Sequence, residues 1–284
     1  MRADELNRQI ESALGHLHEQ LGRGRSEQLQ QYLQVMARLP RYSLGNLVLI
    51  AQQCPEARHV AGIGTWRRLG RKVRRGEVGI RILAPCRRRG QWDEPKPSMH
   101  EETWPDDKRA LSAYRDRVGG FRSVVVFDVS QTYGRPLPAP AQARGEPGEH
   151  LARLEAHIQK LGIRLQRLPA WVGAEGASAG GEIAIRSDLA PAQRLSVLVH
   201  ELAHELLHQG RNEQKAATHA VVETEAEAVA YVVVQALGLD SATAASDYIQ
   251  LHGGDRATLA ASLRRIQQTA RRILEGCGRA KLSL

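Results

Sequence analysis

The segment His200-Glu201-Leu202-Ala203-His204 places the side chains best suited to chemistry in this 284-residue chain. Helical residues advance about 100° each, so two histidines four apart project side by side from one face. Two imidazoles so placed can grip one divalent ion, and Glu201, next to the first of them, can reach a water on that ion. The ion would lower the water's pKa toward ~7, and Glu201 would take the proton as general base. Hydrolysis is the chemistry of such a set, although the same ligands can also hold an ion for structure alone.

A third protein ligand is required. One known completion has Gly three residues after the second His and a further His six after it; here Leu207 and Gly210 stand there, which excludes it. The alternative is a glutamate from a following helix, and Glu-Thr-Glu-Ala-Glu-Ala-Val-Ala-Tyr at 223–231 supplies candidates. Glu223 and Glu227 share a helical face with Ala230, whereas Glu225 points away from it. Glu223 is read as the ligand, with Glu227 holding a histidine's free N–H. The small residues Ala226, Ala228 and Ala230 would let the two helices approach closely. His208 falls about 80° round the helix from His200 and is read as structural or surface. His219 and His252 belong to no motif. Zinc is the first expectation for the ion, and the same ligands accept manganese or cobalt.

These groups need helices to carry them. A helix is expected near 192–208 for the histidines and another near 218–237, ending at Gly238, for the glutamates. Before them come a helix near 149–161 and a strand, Glu182–Arg186, read as an edge strand over the cleft that could take an extended peptide by strand addition. After them, Leu259, Leu263, Ile266 and Ile273 form one stripe of a helix near 256–274. The first half reads as helices near 3–21, 26–38 and 44–53, the third capped by Ser43 and stopped by Pro55. Two strands are expected next, at Gly79–Ala84 and Ser123–Val129, and the charged, Pro-containing stretch 87–118 between them reads as a long mobile loop. The stretch 135–149, which opens Arg-Pro-Leu-Pro-Ala-Pro and is rich in Pro, Ala and Gly, has the composition of a linker. The expected organisation is therefore α+β in two domains: a small basic one at 1–135, a linker at 136–149, and a mainly helical one with a short sheet at 150–284.

Charge divides the chain in the same way. The net charge is +9, and all of the excess lies in residues 1–140, with 24 basic and 15 acidic side chains; residues 141–284 balance at 16 of each. Nine of the twelve aromatic residues also precede residue 140. Between Trp66 and Arg89 there are ten basic residues against one acid, Glu77. That density is an electrostatic footprint for phosphates, and its mixture with aromatic rings suits single strands, held by backbone charge and base stacking. Tyr42, Asn46, Trp66, Arg67, Arg68, Arg71, Lys72, Arg74 and Arg75 are the expected contact residues, with Tyr42 and Trp66 individually readable as core. No helix-turn-helix or zinc finger is visible, so duplex reading is not suggested. Three widely spaced cysteines without a Cys-x-x-Cys pair argue against a disulfide framework and for a reducing, cytoplasmic setting. No apolar run approaches the ~20 residues that span a bilayer, and the N-terminus reads as an amphipathic helix rather than a signal peptide.

Both halves resemble one family, the ArdC-type plasmid antirestriction proteins. The first half is similar to their N-terminal domain through residues 41–85, which include RYSLGNLVLIAQQ and GIGTWRRLGRKVRRGE, and through FDVSQTYGRPLP at 127–138. The second half is similar to their zincin-like metallopeptidase domain through LVHELAHELLH and ETEAEAVAYVV, motifs shared with the ImmA/IrrE-type peptidases. In those the third ligand is the first Glu of a Glu-x-x-Ala-Asn segment, which falls on Glu223; this chain has Glu227 where they have Asn, so Glu227 is the alternative ligand. The resemblance implies single-stranded DNA binding by the first half and protection of incoming plasmid DNA from host restriction during conjugation. Under that resemblance a host restriction protein or another protein is a candidate substrate. Two alternatives compete with this expectation: a DNA-associated zinc metalloprotease that cleaves a host or repair protein, and a binding protein whose metal is purely structural.

Overall fold

A computed structural model of the chain describes residues 2–87, 118–136, 147–169, 175–207, 219–239 and 256–278. Most of the expected loop and linker, together with His208, His252 and Arg88–Arg89, lie outside these residues. The three expected N-terminal helices form at Ala3–Gly22 (α1), Glu27–Arg38 (α2) and Leu44–Gln53 (α3). Next come β1 (Val60–Ala61), the short helix α4 (Ile63–Arg68), β2 (Arg71–Val73), β3 (Ile80–Arg87), β4 (Val118–Asp128) and β5 (Thr132–Gly134). The remainder comprises α5 (Glu149–Lys160), β6 (Arg164–Leu168), β7 (Gly176–Ser178), β8 (Glu182–Arg186), α6 (Pro191–Leu207), α7 (His219–Ala236) and α8 (Arg256–Gly276). The architecture is mixed helix and sheet in two units. Their division falls inside α1: residues before Gly15 cluster with 41–137, whereas 15–40 cluster with 138–282. Residues 15–40, grouped by sequence with the first half, thus belong to the second unit, because α2 packs on α7.

In the first unit, β1, β4 and β3 form an antiparallel sheet in that order, and β2 pairs with β5. Ser43 caps α3 as expected, its side chain accepting from the Asn46 N–H at 3.4 Å. Two amides on one face of α3 then hold the outer edge of β3. Asn46 donates to the Leu83 carbonyl and accepts from its N–H, both at 2.9 Å, and Gln53 does the same with Arg81, also at 2.9 Å. Each side chain mimics a neighbouring strand and satisfies backbone groups that an edge would leave open. Leu6, Leu49 and Leu83 pack beneath this contact, and Ala61, Trp66 and Phe127 form a second cluster.

The end of β4 is tied by one carboxylate. Asp128 is buried; its Oδ1 accepts from the N–H groups of Arg58 and His59 at 2.8 and 2.9 Å, and its Oδ2 from the Ser130 N–H at 2.9 Å. Gln131 completes a capping box by accepting from the Asp128 N–H at 3.0 Å, and it donates to the Val78 carbonyl at 2.8 Å. Just beyond, Gly134 has φ +131, and a side chain there would run into the backbone of Gly70 and Arg71. The segment 127–134 is therefore a structural knot joining four stretches of chain.

In the second unit the sheet order is β6-β8-β7, with β6 parallel and β7 antiparallel to β8. Ile183 and Ile185 are fully buried on one side of β8, and the sheet packs against α6. Helix α7 carries Val and Ala on nearly every side and packs against α6, α8 and α2, as an all-round apolar helix must. Leu259, Leu263, Ile266 and Ile273 form the buried stripe of α8.

Burial raises the proton affinity of Asp128, but hydrogen bonds from Ser130, Arg58 and His59 outweigh it and hold the pKa below its ordinary value. With a folded pKa below the unfolded one (~3.9), its contribution to stability is complete above that value and is lost as pH falls through the folded value. Asp128→Asn is expected to lower stability by about 2 kcal/mol at neutral pH, the worth of charge-assisted bonds. The gap between the two melting curves, followed by circular dichroism, should hold from pH ~7 to ~5 and close below pH ~4.

Candidate metal centre

Helix α6 presents His200 and His204 one turn apart, and α7 presents Glu223 opposite them. The two histidine Nε2 atoms lie 3.0 Å apart, and each is 3.5 Å from Glu223 Oε2. Ligand atoms of these three residues all fall within 4.8 Å of one another. Three ligands about 2.1 Å from one tetrahedral ion would stand about 3.4 Å apart, so the triangle has the dimensions of a divalent-metal site. Its two imidazoles and one carboxylate also have the donor chemistry of such a site. Glu227, one turn further along α7, places Oε2 3.4 Å from His200 Nδ1, the nitrogen that faces away from the triangle. Glu223 and Glu227 thus occupy different positions: one converges with both Nε2 atoms, the other backs a single ring.

Glu225, between them, is buried on the opposite side of α7. It accepts from Ser262 Oγ at 2.5 Å and pairs with the Arg265 guanidinium, whose Nε lies 3.3 Å from its Oε2. Hydropathy periodicity only points this carboxylate away from the metal face; that it anchors α7 to α8 needed the fold. A buried charge held by one good partner is strongly destabilising when that partner is removed.

Glu201 points toward the sheet. A Cβ at Gly176 of β7 would lie 2.6 Å from Val197 Cγ1 and 2.9 Å from Glu201 Oε1, so β7 can pass over Glu201 only with glycine there. The neighbouring Glu205 accepts from the Gly181 N–H at 2.7 Å, in the turn between β7 and β8, where Gly181 has φ +93. Glycines 176 and 181 escape sequence reasoning because neither carries periodicity; the Gly-rich stretch around 173–181 is the sole signal. The strand Glu182–Arg186 needs a correction. It is the central strand of its sheet, flanked on both sides, and cannot accept a further strand. Among the described residues β7 is the strand beside Glu201 and the sheet edge nearest α6.

Electrostatics follow from this crowding. Burial alone would lower the pKa of His200, but the hydrogen bond to Glu227 and the charges of Glu201, Glu227 and Glu223 outweigh it, and the net shift is upward. Burial pushes the Glu201 carboxyl up and the charges of Glu223 and Glu205 add to this, while His200 and a hydrogen bond from Ser178 pull the other way without cancelling it. A carboxylate of raised pKa is a better proton acceptor near neutrality.

The residues expected to touch DNA separate into two groups. Trp66 is 0% exposed and donates from Nε1 to the Phe127 carbonyl at 3.0 Å; Asn46 is the buried clamp on Leu83. Neither has a face to offer a base, which removes both from the contact set. Tyr42 is half-buried, with its hydroxyl on the Val60 carbonyl at 2.8 Å. Arg71 spends its guanidinium on Thr132 Oγ1 at 2.8 Å and on the Arg135 carbonyl at 2.5 Å, and Arg74 reaches the Ser130 carbonyl. Arg68 lies 3.3 Å from Thr65 Oγ1, and Arg67, Lys72 and Arg75 are exposed.

Similarity to known proteins divides between the two halves of the sequence, the N-terminal match including residues 15–40 of the second unit. Residues 2–118 match the model for the N-terminal domain of anti-restriction factor ArdC, and residues 158–262 match the IrrE N-terminal-like domain of peptidase family M78. The Mn(II)-bound crystal structure of the antirestriction ArdC protein from plasmid R388 aligns over 96% of this chain and 99% of its own, with a TM-score of 0.53 and 15% identity. Its metal-free structure aligns with a TM-score of 0.52, 16% identity, and 96% and 98% coverage. An uncharacterized protein of Bacillus anthracis is 26% identical over 278 residues, 86% of this chain; the chain spans 46% of that relative's length. The fold is thus that of ArdC, with the ArdC-type and IrrE-like domains that the sequence motifs implied.

In chelated protein the raised pKa of His200 makes its protonation stabilising, an effect complete below the ordinary value of ~6.5 and lost as pH rises through the folded value. A metal has the opposite preference, because it needs neutral imidazole. The rise in melting temperature on adding Zn(II) or Mn(II) to chelated protein should therefore grow between pH 6 and 8; saturation 100-fold above Kd adds about 2.7 kcal/mol. Titration calorimetry should show binding lost in Glu223→Ala and weakened ~10–100-fold in Glu227→Ala. The reverse order would make Glu227 the ligand.

Proposed function

We propose that this chain is an antirestriction protein that binds single-stranded DNA through its first unit, protects incoming plasmid DNA from host restriction, and carries a zinc site in its second. The observation that carries this reading is the pairing of an ArdC-type N-terminal domain with an IrrE-like domain in one chain, aligned over 96% of its length with an antirestriction protein. The excess of positive charge in the first half, with Arg67, Lys72 and Arg75 exposed, supports contact with phosphates. No described helix is long and apolar enough to cross a membrane.

Within the second unit, His200, His204 and Glu223 would hold the ion, with Glu227 fixing the His200 ring through Nδ1. When bound, the ion supplies Lewis-acid polarisation and acidifies water. The chain's own residues supply the rest. Glu201, buried and of raised proton affinity, is placed to accept a proton at Oε1 or Oε2, and β7 passing over it limits approach to one side. That arrangement favours a second reading, in which the chain is a metallopeptidase that removes a host protein from the entering DNA.

Transfer of an unmodified plasmid by conjugation into restricting and non-restricting recipients tests the function. Expression of the chain should raise transfer into the restricting recipient alone, and equal frequencies with and without it would refute an antirestriction role. Glu201→Gln then separates the two readings. Retained protection means that the bound strand is shielded; lost protection, with metal and DNA binding intact, means hydrolysis. In binding to oligothymidylate, Arg67→Ala combined with Arg75→Ala should lower the log–log salt slope by about 1.4, at ~0.7 per phosphate contact.

A further inference from the structure

Two aromatic rings of the first unit stand exposed among the described residues, Phe121 and Tyr133, and only Tyr133 is paired with a cation. In the β2–β5 pair, Tyr133 lies directly across from Lys72, so both side chains leave the same face. The other face is turned inward. Val73 packs on the Ala61–Trp66–Phe127 cluster, Thr132 is buried, and Arg71 bonds across to Thr132. Tyr133 is 53% exposed, and Lys72 is exposed beside it. Phe121, by contrast, has Pro85 as its cross-strand partner.

The surroundings are strongly cationic. Arg67 and Arg68 end α4 immediately before β2, Arg74 and Arg75 come directly after it, and Arg135 comes directly after β5. Of these, Arg67, Arg68, Arg74, Arg75 and Arg135 are all exposed. The one acid between Trp66 and Arg89, Glu77, receives a hydrogen bond from Gln131 at 3.1 Å. An aromatic face open to water, flanked by cations, matches the two demands of a single strand: a flat apolar surface for a base and positive charge for its phosphates. A duplex hides its base faces and gains nothing from the ring.

We infer that Tyr133, with Lys72 beside it, is the seat on which a base of single-stranded DNA stacks. This rests on the reading of the first unit as a single-strand binder and assigns the stacking role to a residue other than Trp66 or Tyr42. The ring provides the stacking surface, Lys72 neutralises the adjoining phosphate, and the inward face of β2–β5 anchors both to the core through Val73.

Fluorescence anisotropy of labelled oligothymidylate with the full chain, at several salt concentrations, tests the seat. Tyr133→Ala should weaken binding about tenfold or more with the salt slope unchanged, while Tyr133→Phe, which keeps the ring, retains most of the affinity. Lys72→Ala should lower the slope by about 0.7. Photocrosslinking of a 5-iodouracil strand to the wild-type chain, read by peptide mass spectrometry, should mark Tyr133 and does not depend on any variant folding. If the wild type binds but Tyr133→Ala binds equally and crosslinks form elsewhere, the seat is wrong and the single-strand reading stands. If the wild type binds no strand at any salt concentration, that reading fails, and the seat with it.

Discussion

Three carboxylates, Glu201, Glu223 and Glu227, act on the imidazoles where α6 meets α7, a fourth, Glu205, acts on Glu201, and this concentration of like charge in a partly buried place governs the second unit. Coulomb repulsion between them grows as water is excluded, so the group needs positive charge: a proton on His200 or a divalent ion in the triangle. The raised proton affinity of His200 expresses this excess, while that of Glu201 comes first from burial, with the charges of Glu223 and Glu205 adding to it. Each carboxylate nonetheless has its own task. Glu223 closes the triangle, Glu227 backs one ring, Glu205 holds the β7–β8 turn, and Glu201 remains under β7.

Holding such a cluster requires rigid supports, and the apolar parts of the chain provide them. Helix α7 is enclosed by α6, α8 and α2, and its buried Glu225 is fastened to Arg265 and Ser262 of α8. On the other side, Arg194 of α6 pairs with Glu155 of α5. These ion pairs lie away from the triangle and fix the rotation of the two helices that build it. The sheet completes the enclosure through Gly176, where the absence of a side chain lets backbone and carboxylate come together.

The first unit uses polar residues differently. Buried Asn46 and Asp128, with half-buried Gln131 and exposed Gln53, saturate backbone groups of β3, β4 and the 55–59 turn. Its long sequence motifs are therefore mostly architecture. Cations remain outside, where solvent screens them and a polyanion can reach them. One chain thus separates an acidic, enclosed centre from a basic, open surface.

Much of this was legible in the residues. Every long helix and both long strands appear near their expected positions, because periods of 3.6 and 2 and the caps at Ser43 and Pro55 are local signals. So is the juxtaposition of His200, Glu201 and His204, since one helix sets it. The short elements β1, α4, β2, β5, β6 and β7 were not legible: they have two to six residues and, unlike the equally short Glu182–Arg186, show no alternation of apolar and polar side chains. Nor was the place of the strand 182–186 in its sheet, which depends on neighbours that carry no pattern of their own. Trp66 and Asn46, conspicuous beside the arginines, go inward because tertiary packing, rather than residue type, decides which side of a short element faces water. By itself the sequence determined the two-histidine face, the nearby glutamates and the basic first half, all properties of chemistry and short-range spacing. Only the tertiary structure decided that Glu223 meets both imidazoles while Glu227 backs one, that 15–40 joins the second unit, and that Tyr133 and Lys72 share an open face. Those are relations between segments far apart in the chain, fixed by how buried surfaces fit together.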